Sequence, residues 1–137
     1  MAIRGIDHIN IGTHRLEDTK AFFRDVLGLT EGWRPDFAGF GGAWLYAGDR
    51  AVVHLVELTE AKLPSSKAAL DHFAFAIDDY DDIVGRLERA GTKYSAVEVP
   101  GAPIRQIFIR DLNGVNIELN YRAPAAASAK TLAAEQA

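Results

Sequence analysis

Over residues 3–12 the chain alternates, with Ile9 and Ile11 on one side of an extended segment and His8 and Asn10 on the other. A period of two predicts a half-buried strand. The spacing then turns helical: Leu16, Phe22, Phe23, Val26 and Leu27 are apolar, and Gly28 stands just past them, where a helix-closing glycine belongs. Three strand-like runs follow, at 30–34, 43–47 and 51–58, the last two joined by the turn residues Ala47, Gly48 and Asp49. A polar stretch over 59–69, containing Pro64, reads as a linker. The order then repeats. A strand is predicted over 70–77, a helix over 81–90 with Gly91 after it, and strands over 93–99, 104–110 and 115–121. Asn113-Gly114 marks a hairpin between the last two.

The chain is thus βαβββ followed by βαβββ, and the two halves match residue by residue. Asp7 and Asp71, His8 and His72, and His54 and Glu118 are all 64 residues apart, whereas Gly28 and Gly91 are 63 apart. An internal repeat of this kind fixes the architecture before any other consideration. It predicts an α+β fold of two modules, 1–58 and 70–122, in one domain with helices on one face. The Ala-rich remainder, 123–137, is low in complexity and is assigned no function.

The alternation also sorts the polar residues. In the 70–77 strand Phe73, Phe75 and Ile77 form the packing face, which leaves His72 above the small Ala74 and Ala76. His8, His54 and Glu118 likewise lie opposite the large apolar residues of their strands. If a pseudo-two-fold axis relates the modules, these four side chains converge. Three imidazoles and a carboxylate suit one divalent ion such as Zn, Ni, Fe, Co or Mn. His14, in a turn, is read as a surface residue. Trp33, Phe37, Phe40, Trp44 and Tyr46 are read mostly as core. The Gly-rich 37–44 stretch is a weaker candidate for a substrate lid.

Composition narrows the chemistry. The absence of cysteine excludes disulfides, thiolate ligands and a cysteine nucleophile. A formal net charge of −4 with scattered basic residues argues against a nucleic-acid surface. No run has the length of a membrane span, and the first ten residues lack a signal-peptide core, so the expected setting is cytoplasmic and the expected partner a small molecule.

Two βαβββ modules, each opening on Asp-His, and the closing run Asp-Leu-Asn-Gly-Val-Asn-Ile-Glu-Leu (111–119) resemble the vicinal oxygen chelate superfamily. That group includes glyoxalase I, methylmalonyl-CoA epimerase, fosfomycin-resistance transferases, bleomycin-resistance proteins and extradiol dioxygenases. The final run is similar to the family's Asp-Pro-x-Gly-x-x-x-Glu signature, with Leu112 in place of Pro. The resemblance implies metal ligands at His8, His72 and Glu118, with His54 either a fourth ligand or a proton-transfer group. It also implies a cupped mixed sheet, built within one chain or across a homodimer. A glyoxalase-type lyase or isomerase is the leading expectation, acting on adjacent oxygens through an enediolate-like intermediate, with Glu118 and His54 as catalytic residues. An extradiol dioxygenase using Fe(II) ranks second; Phe108 stands where those enzymes carry a tyrosine. A non-enzymatic, antibiotic-binding protein ranks third.

Overall fold

The structure, a computed structural model, describes residues 2–124. The tail beyond Pro124 therefore lies outside the described residues. The first module contains β1 (Ile9–Thr13), α1 (Leu16–Ala21) running on into a π-helical turn (Phe22–Val26), β2 (Thr30–Gly32), β3 (Gly42–Ala47) and β4 (Arg50–Glu57). A 3-10 turn (Ser65–Lys67) interrupts the linker. The second module contains β5 (His72–Ile77), α2 (Tyr80–Ala90), β6 (Ser95–Glu98), β7 (Ile104–Arg110) and β8 (Asn116–Arg122). The predicted α+β repeat is present, and the cup is divided into two four-stranded mixed sheets, ordered β1-β4-β3-β2 and β5-β8-β7-β6.

Strand pairing repeats with the sequence. Asn10 pairs with His54 in the first sheet, and Ala74 with Glu118 in the second. Across the neighbouring strand Trp44 faces His54, and Phe108 faces Glu118. Each of these partners lies 64 residues from its counterpart. The helices explain the odd value of 63. From Leu16 to Gly28 the first helix holds one residue more than the second does from Tyr80 to Gly91. The π-helical turn absorbs it: Leu27 N donates to Phe22 O, a bond that spans five residues instead of four.

Several boundaries differ from the sequence expectation. The first strand begins at Ile9 rather than residue 3, and Ile3 and Ile6 are largely exposed; β-propensity without a neighbouring strand to pair with does not make a strand. The β7–β8 connection is longer than a two-residue hairpin. Asn113 does not take the positive φ of a primed turn, and only Gly114 does, at φ 81°. The loop is closed instead by Asp111, whose backbone N donates to Val115 O and whose Oδ1 accepts from the backbone N–H groups of Asn113 and Val115.

One apolar core runs through both modules. Phe23, Leu45, Val53 and Leu55 from the first module and Leu87, Ile107, Ile117 and Leu119 from the second are sealed from solvent. Burial of each such side chain is worth about 2 kcal/mol. α2 is positioned for this by capping at both ends. Asp79 accepts the Asp82 N–H at its start, and Gly91 closes it at φ 66°. A buried polar knot also joins the modules. Thr13 Oγ1 donates to Asn113 Oδ1 at 2.8 Å, and Asn113 Nδ2 donates to Thr19 Oγ1 and Asp111 Oδ2, each at 3.1 Å. No helix among the described residues is long and apolar enough to cross a membrane.

Candidate metal and active site

The packing of one sheet face against the helices decides where the candidate ligands go. Along β4, Val53 and Leu55 are buried and His54 is turned the other way; along β8, Ile117 and Leu119 are buried and Glu118 is turned away. Phe73, Phe75 and Ile77 join the core, as the alternation predicts, and leave His72 on the open face. His8 sits just before β1 and projects with them.

In the first module the three rings form a column. The His8 and His54 rings stack with centroids 3.7 Å apart and planes at 11°, and Trp44 stacks on His54 at 4.0 Å and 12°. Because β4 lies between β1 and β3, His54 is sandwiched between the other two rings. Burial, and then the neighbouring His8, pull the His54 pKa below the ordinary imidazole value. At neutral pH it is therefore an unprotonated base with a free lone pair.

The second module is built from charge. His72 Nε2 and Glu118 Oε1 are 3.1 Å apart. His72 Nδ1 donates to Asp71 at 2.9 Å, and that bond is the main reason its pKa lies above the ordinary value; desolvation opposes it, and the charges of Glu118 and Asp71 add to it. Glu118 Oε2 accepts long hydrogen bonds from Asn120 Nδ2 at 3.4 Å and Gln106 Nε2 at 3.5 Å. The nearby arginines 105 and 110 do not pair with Glu118. Arg105 covers the Tyr80 ring and reaches towards Glu98, and Arg110 donates to Asn116.

Asp7 repeats the role of Asp71, holding His8 Nδ1 at 2.7 Å. The two Asp-His openings are therefore two copies of one device, a carboxylate fixing Nδ1 so that Nε2 is the exposed nitrogen. The sequence shows the signal, an aspartate directly before each histidine, although the aspartates carry no role on sequence grounds alone. Trp44 is the other residue whose part was not foreseen. Its signal was its pairing opposite the His54 strand.

Within one chain the structure brings His8 to His54 and His72 to Glu118. It does not bring the two pairs together: no group of three or more His, Asp or Glu side chains is placed to share a metal ion among the described residues. A cavity of about 200 Å³ opens between the edges of β1 and β5, with Ile9, Ile11, Leu63, Leu70 and Phe73 in its wall and His72 on its lining. The donors themselves suit a divalent ion. Two ligands bound at about 2.1 Å lie roughly 3.0–3.4 Å from each other, and His72 Nε2 and Glu118 Oε1 have that separation.

The aromatic residues of the first module depart from the core assignment. Trp33 is 71%, Phe40 45% and Phe37 38% exposed. The short β2 ends at Gly32, and the chain from Trp33 to Gly41 runs outside the sheet, so these rings have no helix to pack beneath. His14 is exposed, as expected.

A family model described as the Glyoxalase/Bleomycin resistance protein/Dioxygenase superfamily matches residues 5–119. The chain belongs to that superfamily. "Glyoxylase I 4" of Arabidopsis thaliana is 27% identical over 123 residues, covering 85% of this chain and 70% of the relative. Among solved structures, a glyoxalase family protein from Bacillus anthracis superposes with a TM-score of 0.74 at 22% identity, covering 88% of this chain and 97% of that one. A mutant of the fosfomycin resistance protein FosX from Listeria monocytogenes, complexed with Mn(II) and 1S,2S-dihydroxypropylphosphonic acid, superposes with a TM-score of 0.70 at 18% identity, over 88% of this chain and 94% of that one.

Proposed function

We propose that the protein is a divalent-metal-dependent lyase or isomerase of glyoxalase type that works as a homodimer on a small substrate with adjacent oxygens. His8 of one chain and His72 and Glu118 of its partner would hold the ion, with His54 beside His8 as a proton-transfer group and not a ligand. The observation that carries this reading is the pair of donor sets at equivalent register positions of two repeated sheets, each incomplete alone. Exposed Ile6 and Leu70, 64 residues apart and each directly before an Asp-His pair, give a second copy apolar surface to cover.

When bound there, a divalent ion supplies Lewis acidity toward a substrate carbonyl. The chain's own residues do the rest. Asp7 and Asp71 orient the two imidazoles. His54, kept neutral by burial, accepts a proton from the substrate carbon, and Trp44 keeps water from one of its faces. Glu118 is the second proton-transfer group, its Oε2 steadied by Asn120 and Gln106. The dioxygenase reading stands lower because Phe108, opposite Glu118, brings a ring without a hydroxyl. The binding-only reading stands lower because partly buried His and Glu donors cost more desolvation than neutral groups would.

Complementation tests both the metal and the dimer. His8→Ala and His72→Ala proteins should each lose the ion in elemental analysis. Unfolded together and refolded, they should recover about a quarter of the wild-type metal, because half of randomly paired dimers carry one intact site. No recovery, with each variant alone still metal-free, would place the whole site in one chain. Metal-free wild type after reconstitution would remove the enzyme reading.

A further inference from the structure

Arg34, beside Phe37 and Phe40, has no charged partner among the described residues. Its guanidinium lies against the stacked Phe37–Phe40 pair, 4.9 and 5.4 Å from their centroids. Its Nε is buried and has no hydrogen-bond partner among the described residues, and its Nη2 makes only a 3.5 Å contact with the Phe40 carbonyl. It covers Gly42, where a Cβ would come within 3.0 Å of Nη2 and within 2.1 Å of the Leu55 carbonyl oxygen, so only glycine leaves room for it. Gly42 and Trp44 share a face of β3, and Trp44 faces His54. The guanidinium therefore sits on the same face as the candidate ligands, roughly 7 Å along the strand from the level of His54.

A guanidinium has five donors in a planar fork. Here the buried Nε donor goes unused, a cost that an oxyanion repays by pairing with Nε–H and an Nη donor together. The net charge of −4 gives no general attraction for anions, so any preference for one must be local.

We propose that Arg34 is the anion-recognition residue of this site and that the substrate carries a carboxylate at the end opposite its adjacent oxygens. The proposal rests on the metal-site reading above, and the experiment separates the two. Calorimetry on the metal-loaded protein compares 3,4-dihydroxybenzoate with its neutral analogue 3,4-dihydroxybenzamide; both present adjacent oxygens and only one an anion. Wild type should prefer the carboxylate by roughly tenfold or more, the range of a charged hydrogen-bond pair. Arg34→Gln should bring the ratio near one while leaving the affinity for the amide unchanged, and Arg34→Lys should restore part of it. His72→Ala should weaken both compounds and leave their ratio intact, which reports on the metal alone. Equal binding of the two compounds by wild type, no binding of either, or a preference that survives in Arg34→Gln overturns the proposal. A preference that persists in the metal-free protein supports it even where the metal reading fails.

Discussion

The two modules share their strand register at the candidate site, with a bulge between Leu45 and Tyr46 in the first alone, yet they prepare opposite environments on it. Position 54 is a desolvated imidazole between two rings, held neutral. Its counterpart, 118, is a carboxylate facing a histidine whose pKa is raised. The difference shows that repetition of the scaffold does not mean repetition of chemistry. A neutral half and an ionic half are complementary, so neither module alone has the donors or the charge for a closed metal site. The asymmetry can be broken from either side.

The largest effect is expected from the ionic half. Glu118→Gln keeps the shape and the hydrogen bonds to Asn120 and Gln106 while removing the charge, and metal affinity should drop by more than about a hundredfold. His54→Gln, in the neutral half, should cost about tenfold, nearer the effect of losing a supporting group. Competition against a chromophoric chelator measures both. Equal losses would mean that the halves are not the ionic and neutral parts described above.

A smaller effect tests how the modules are joined. Asn113→Ala strips partners from Thr13, Thr19 and Asp111 in one step. It should cost about 2–3 kcal/mol in urea unfolding, the range for buried groups left unsatisfied. Asp49, 64 residues earlier in the equivalent turn, is exposed, and Asp49→Ala should change stability by less than about 0.5 kcal/mol. Similar costs at the two positions would deny the knot its role.

The same residues mark what the sequence could reveal. Strand alternation and the 64-residue offset carried the fold, the facing of His8, His54, His72 and Glu118, and the packing of Phe73, Phe75 and Ile77, because these follow from local periodicity and a repeat. Asn113 was legible only as a turn residue. Its side chain reaches Thr13, 100 positions away, and no local pattern encodes that. Trp33, Phe37 and Phe40 were misplaced for a related reason: hydrophobicity says a ring favours burial, but not whether the chain passes beneath a helix at that point. The grouping of the candidate ligands into two pairs, not one set of four, depends on how the modules dock, which periodicity leaves open.

The smallest effect is in the pH dependence, where the two histidines should move stability in opposite directions. His72 has a raised pKa, so its contribution to the metal-free fold is complete below the unfolded value of about 6.5 and is lost as pH rises through the folded value. His54 has a lowered pKa, so its contribution is present above about 6.5 and is lost as pH falls through the folded value. The His72 term is small, since its side chain is 45% exposed and water screens the pair. A bound ion changes the balance, because it must displace the proton on His72, and binding then strengthens with pH. The gap in Tm between metal-loaded and metal-free protein should therefore widen as pH rises across the neutral range. His72→Gln should flatten the metal-free decline, and His54→Gln should flatten only the acidic limb. Thermal unfolding from about pH 5.5 to about pH 8.5, which brackets an ordinary imidazole, separates the two terms. If both variants flatten the same limb, the modules do not differ in charge as their side-chain surroundings require.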